Sequence, residues 1–240
     1  METEGFTTAF DAYTLQFFLY YLIAQITAFL VGSIPFGYVI AKAKSGIDIR
    51  EHGSGNIGAT NVGRVLGFRF FLVVFLLDFL KGALPVAAAV WLRNSHQDPK
   101  ATLFEQYLFL PELVGFACIL GHMFPVFLSF RGGKGVATSI GVILVLAPYS
   151  CITGLMGFLV FLLVTRMVSM GSIGFALAFG ISHFVAPWSQ SPLSLRNSAL
   201  TTFVVLISLL IIVRHRSNLG RVIRGTEPQI SFRRKKPAAP

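Results

Sequence analysis

The sequence predicts an all-α polytopic membrane protein with about seven transmembrane helices, several of them short or broken. Three observations lead there. Of the 240 residues, 54% are hydrophobic and only 12% charged, against roughly 25% charged in an average soluble domain. Mean hydropathy is +0.72. Several runs reach the roughly 18 apolar residues needed to cross a bilayer. One transmembrane domain over 1–227, followed by a basic cytoplasmic tail over 228–240 without ordered structure, accounts for the length. Cys118 and Cys151 lie inside apolar runs and read as small buried hydrophobes, not as a disulfide or a metal site. The formal net charge of +10 reports orientation and anionic partners in such a protein, not nucleic acid. The N-terminus lacks a basic n-region, so no removable signal peptide is expected.

Met1 to Thr14 is acidic, with Glu2, Glu4 and Asp11 and no basic residue. The first span runs from about Leu15 to Ile40. It is interrupted at Gly32-Ser33-Ile34-Pro35-Phe36-Gly37, where proline removes a helical donor. The break is either a plain kink or a ligand-lining one. Lys42, Lys44, Arg50, Arg64 and Arg69 mark the following loop as cytoplasmic, which puts the N-terminus outside. The next run, Phe70 to Leu92, holds Asp78 and Lys81 on one helix face. Mid-span charges cost roughly 2.5–3.5 kcal/mol each on insertion scales, so the pair should face the interior, in a structural or a functional role.

A polar loop, Arg93 to Gln106, lies on the far side, and the run Leu108 to Phe130 returns. Val136 to Thr165 is generous for one span and short for two. Cations at both ends require it to go out and come back, turning near Ala147-Pro148-Tyr149-Ser150. A short span from Ile173 to about Pro187 follows. Trp188 reads as an interfacial anchor before the polar loop Ser189 to Asn197, and Ser198 to Val213 is the last span. Beyond it stand eight of the chain's twenty cations, Arg214 to Lys236, which place the C-terminus in the cytoplasm.

Three clusters share the cytoplasmic side. The first, GSGNIGATNVGR at Gly53 to Arg64, places four glycines, one serine, one threonine, two asparagines and one arginine in twelve positions. Such a segment is not expected to bury an apolar face. Its backbone amides, short polar side chains and one guanidinium are suited to an oxyanion such as phosphate, and equally to an ordinary loop between membrane helices. The second is Arg131-Gly132-Gly133-Lys134-Gly135, and the third runs from His215 to Glu227. Two basic, glycine-rich segments on one face point to phosphate more strongly than either alone; interfacial turns with snorkelling cations are the bland alternative. Hydrolase elbows, zinc-binding H-E-x-x-H helices and Walker loops are absent from the sequence. None of the five histidines begins an H-x-x-x-x-D. Carboxylates and cysteines are too scattered for a metal site.

GSGNIGATNVGR, DFLKG, GHMFPVFLSFRGGKGVAT and HRSNLGRVIRGTE, in that order, resemble the bacterial acyl-phosphate-dependent glycerol-3-phosphate acyltransferase family over Gly32 to about Glu227. The resemblance implies a seven-helix inner-membrane enzyme with a cytoplasmic active site. It would acylate the sn-1 hydroxyl of glycerol 3-phosphate from acyl phosphate and yield lysophosphatidic acid, the first step of phospholipid synthesis. It implies catalytic roles for Ser54, Arg64, Lys134, His215 and Asn218. It also implies substrate binding by Gly132, Gly133, Gly135 and Ser172, with Ser169 close to the last. Gly53, Gly55, Asn56, Thr60 and Asn61 complete the candidate contacts from the first cluster. Neither cofactor nor metal is implied. The partners are the two phosphate substrates, the lipid bilayer and a soluble enzyme that makes acyl phosphate. Two readings of the general base stand open, His215 and a substrate phosphate. Two other classes share some of these features. A carrier of phosphorylated metabolites would place its cations at the midplane and repeat between halves, and no such repeat is found. A membrane scaffold would not need the glycine clusters.

Overall fold

A computed structural model describes residues 2–95, 109–185 and 195–230. Among them are ten α-helices and two short 3-10 turns, with no strand. Six stretches are long and apolar enough to cross a membrane, and an eleven-residue apolar helix, Val136–Leu146, is added to them. The chain divides into two compact units, Met1–Leu146 and Ala147–Pro240.

In the first unit α1 (Glu2–Ser33) stops at Ile34-Pro35 and α2 (Phe36–Ser45) restarts the helix, so the break expected around Pro35 is present. A short helix α3 (Ala59–Leu66), the long α4 (Phe68–Ser95), α5 (Leu110–Met123) and α6 (Val136–Leu146) follow. Helix α1 packs on α5, and α4 packs on α6, α3 and α5. Small residues allow these approaches: a Cβ on Gly32 would run into the backbone of Cys118, and one on Gly121 into that of Phe29.

Asp78 and Lys81 on α4 are 2% and 5% exposed and form a 2.8 Å ion pair, facing the interior as expected. The Lys81 ammonium also donates to the Ile34 carbonyl at 2.8 Å and lies 5.6 Å from the Phe36 ring centroid. That carbonyl sits at the break, and lysine supplies it with a partner away from water.

Helix α3 was not expected. Ile57, Ala59 and Val62 are 3%, 7% and 0% exposed and join Ala41, Ile49, Val74 and Leu128 in one apolar cluster. The first polar cluster therefore does bury an apolar face. The reason is periodicity: Ala59 and Val62 are three apart on a single helical face, a spacing too short to show as a hydrophobic run.

In the second unit α7 (Pro148–Thr165) pairs with α8 (Val168–Val185), and α8 with α9 (Leu195–Arg214). The stretch Val136 to Thr165 is divided at Ala147, within the turn expected there; α6 at about 1.5 Å per residue covers only about half a bilayer core. Helix α8 begins five residues before the expected Ile173. A further short helix, α10 (Arg216–Ile223), follows α9. Residues 96–108, 186–194 and 231–240 fall outside the description, with Trp188, most of its polar loop and the end of the basic tail.

Candidate functional site

The loop preceding α3 is built around Asn61, which is 2% exposed. Its Nδ2 donates to the carbonyls of Ile49, His52 and Asn56 at 3.2, 2.9 and 2.9 Å, and its Oδ1 accepts from the Ser54 amide at 2.7 Å. The side chain thus acts as an internal strut. Asn56 also turns inward: its Oδ1 accepts from the Gly58 amide at 2.8 Å, at the start of α3. Of the candidates on this cluster, Ser54, Gly53, Gly55 and Arg64 are exposed, and Thr60 is half-buried. Arg50, just upstream, is matched by Asp48, whose carboxyl is held at about 2 by the Arg50 hydrogen bonds. Arg64 is thus the exposed guanidinium of this cluster.

The second cluster rests on α5. Its approach is a tight loop in which Ser129 and Phe130 adopt left-handed backbone at φ 51° and 62°. Non-glycine residues hold such conformations only where the surroundings over-determine them. Here the Phe130 amide donates to the Pro125 carbonyl at 2.9 Å and the Arg131 amide to Leu128 at 3.1 Å. Leu128, in the buried apolar group of α3, fastens this turn to the first cluster. The Gly133 amide then donates to the His122 carbonyl at 3.1 Å. A Cβ on Gly133 would land on the His122 ring, and one on Gly132 on the His122 carbonyl and Pro125. Gly135 has φ 81° beside the Met123 side chain. The glycines are therefore needed for close approach to the end of α5, which sets the position of half-buried Lys134.

In the second unit Glu227 is a hub. It accepts from Ser169 Oγ at 2.6 Å, Asn218 Nδ2 at 2.7 Å and Arg221 Nε at 2.7 Å. Further along, the Ile230 amide donates to the Arg166 carbonyl at 2.7 Å. Ser172, a candidate substrate contact, donates to the Val168 carbonyl within its own helix at 3.0 Å. The structure brings Ser169 to Asn218 through Glu227. The serines are three apart on one helix face, and only the contact made by the third cluster separates them.

His215 is 2% exposed, between α9 and α10. Its Nδ1 lies 2.8 Å from the Ile211 carbonyl. A carbonyl only accepts, so Nδ1 carries the proton and Nε2 is the basic nitrogen of the neutral ring. The ring is oriented by a main-chain oxygen.

Burial opposes the charge of Glu227, but the hydrogen bonds from Ser169, Asn218 and Arg221 outweigh it and hold the carboxyl below its usual range. With the folded value below the unfolded one, about 4.3, its contribution to stability is complete above that pH and lost as pH falls through the folded value. The thermal midpoint in detergent should fall on acidification through this window. Glu227→Gln should lower the midpoint at pH 7 and flatten its pH dependence. A variant with an unchanged profile would show that the hub does not hold this unit together.

The family model described as glycerol-3-phosphate acyltransferase matches residues 22–225. The glycerol-3-phosphate acyltransferase of Anaeromyxobacter sp. (strain Fw109-5) is 41% identical over 209 residues, 87% of this chain and 96% of the relative. That of Bacillus subtilis (strain 168) is 40% identical over 207 residues, 86% and 96%. The crystal structure of PlsY (YgiH), an integral membrane glycerol 3-phosphate acyltransferase, in its glycerol 3-phosphate form aligns with TM-score 0.75 and 38% identity over 88% of this chain and 96% of that one. Its lysophosphatidic acid form aligns with TM-score 0.73, 38% identity and coverage of 88% and 95%. The family match takes in the first two polar clusters and the third as far as Gly225, and the chain belongs to the glycerol-3-phosphate acyltransferase family.

Proposed function

We propose that this enzyme transfers a fatty acyl group from acyl phosphate to the sn-1 hydroxyl of glycerol 3-phosphate, giving lysophosphatidic acid and inorganic phosphate. One observation carries the reading: similar structures, 38% identical over 88% of this chain, are of a glycerol 3-phosphate form and a lysophosphatidic acid form, the acceptor and product of such a transfer. The hydroxyl oxygen attacks the acyl carbonyl carbon, the carbonyl–phosphate bond breaks, and phosphate leaves with the bonding electrons. An acyl phosphate is already a mixed anhydride, so the protein's work is positioning and charge stabilisation. Arg64 and Lys134 provide the positive charge, Lys134 for glycerol 3-phosphate. The Ser54 hydroxyl and the amides of Gly53, Gly132 and Gly135 donate to phosphate oxygens, while the Gly55 and Gly133 amides, which donate to the His52 and His122 carbonyls, hold their loops in place. His215 takes the hydroxyl proton at Nε2, unless a substrate phosphate takes it. Asn218 and Ser169 act as one unit with Glu227, and Asn61 and Asn56 shape the loop that presents Ser54.

The decisive assay offers purified protein in detergent an acyl phosphate, an acyl thioester of coenzyme A and an acyl-carrier thioester. Phosphate release that depends on glycerol 3-phosphate, with product from acyl phosphate alone, is expected. Equal use of a thioester would refute the donor assignment. A soluble enzyme making acyl phosphate would be the natural supplier of the donor.

The same proposal puts the site on the cytoplasmic face of the inner membrane. Single cysteines at Ser54, Arg131 and Ser217, all exposed, in a cysteine-free protein should label only from the cytoplasm, and one at Ser191 only from outside. Periplasmic labelling at Arg131 would contradict the shared face.

A further inference from the structure

The ion pair inside α4 does more than satisfy itself. Asp78 Oδ1 is 2.8 Å from Lys81 Nζ and 3.5 Å from His122 Nδ1. His122 is 3% exposed, on the last turn of α5. Its carbonyl receives the Gly133 amide, and its ring occupies the space where a side chain on Gly133 would be. Lys81 continues the chain of contacts to the Ile34 carbonyl at the α1–α2 break. Three separate segments therefore converge on one buried carboxylate and its two cationic or imidazole neighbours. The end of this network is the backbone immediately before Lys134.

We propose that Asp78, Lys81 and His122 form a positioning network for the Gly132–Gly135 segment, fixing the place of Lys134 through His122 and so setting affinity for glycerol 3-phosphate. The inference rests on the reading of that segment as the glycerol 3-phosphate contact. None of the three touches substrate in this scheme. Asp78 restrains the His122 ring from one side while Gly133 closes against it from the other. Lys81 holds Asp78 in place and ties it to the helix break. Rotation of the ring would withdraw the surface on which Gly133 rests. A binding group displaced by about 1 Å loses on the order of ten- to a hundredfold in rate or affinity.

Steady-state kinetics of the full chain in detergent, with thermal midpoints measured alongside, test this. His122→Phe keeps a planar aromatic ring, somewhat larger than imidazole, and removes both nitrogens. The double variant Asp78→Leu with Lys81→Met replaces the pair by apolar groups of similar size, a change that buried pairs often tolerate. The double variant is expected to keep a midpoint close to wild type, and both variants to raise KM for glycerol 3-phosphate about tenfold, with kcat and KM for acyl phosphate little changed. Lys134→Ala should raise the same KM. If His122→Phe does not fold, the double variant decides. Folded variants with an unchanged KM for glycerol 3-phosphate, or with only a lowered midpoint, overturn the positioning role while leaving the phosphate contact intact. An unchanged KM in Lys134→Ala would overturn the phosphate contact itself, and this inference with it.

Discussion

Lys134→Ala and Arg64→Ala should each lower kcat/KM for glycerol 3-phosphate by roughly thirty- to nine-hundredfold, about 2–4 kcal/mol of transition-state stabilisation. A charge-assisted contact to a phosphate oxygen is lost in both. Arg64 is exposed on α3, and Lys134 is half-buried in the glycine segment before α6. Neither lies inside one of the six long apolar stretches, so the variants should insert and fold normally. Arg64→Lys should recover only part of the loss, because an ammonium cannot reproduce the two-pronged guanidinium contact. Near-normal kcat/KM in both alanine variants would show that these cations do not hold substrate phosphate.

Gly133→Ala should be nearly as damaging, for a different reason. The added methyl would meet the His122 ring, and His122 is buried beside Asp78. Overpacking of this kind costs about 1–3 kcal/mol. Relief requires the backbone to move away from α5, breaking the hydrogen bond that the Gly133 amide donates to the His122 carbonyl and carrying Lys134 with it. The expected result is a lowered thermal midpoint together with at least a tenfold fall in kcat/KM, consistent with displacement of a binding group. Activity and midpoint both at wild-type level would mean that the close approach at Gly133 is not needed.

The long helices were legible because burial in lipid writes itself into sequence as uninterrupted apolar length. The breaks at Pro35 and Ala147-Pro148 were legible because proline removes a donor. Helix α3 was not, since its buried apolar face is only Ala59 and Val62, with Ile57 just before it, scattered among glycines and polar residues. Helix α10 was hidden by its arginines, which read as an orientation signal. The spacing of Asp78 and Lys81 announced their pairing. Their further partners, Ile34 and His122, come from other helices, and only folding brings them together. The same limit applies to the site. Asn61 and Asn56 have the composition of ligand-binding side chains, but their amide groups bond the loop's own backbone. Ser169 and Ser172 are indistinguishable by type and spacing until Glu227 returns from the C-terminal segment to accept from Ser169.

The proposed transfer runs directly from acyl phosphate to the glycerol hydroxyl. A serine among glycines and cations invites the alternative, an acyl-enzyme on Ser54 with His215 as its base. An acyl phosphate already carries a good leaving group, so a covalent detour has little to offer. His215 Nδ1 is oriented by the Ile211 carbonyl, and Glu227 is engaged by Ser169, Asn218 and Arg221. A carboxylate–histidine–serine relay is not assembled by these contacts. The most direct measurement incubates the enzyme with radiolabelled acyl phosphate, with and without glycerol 3-phosphate, then denatures it and counts protein-bound acyl label. Label should pass to glycerol 3-phosphate when it is present and never accumulate on the protein, while Ser54→Ala loses activity as a lost phosphate contact. Stoichiometric label on the protein that vanishes in Ser54→Ala would contradict direct transfer and establish a two-step route.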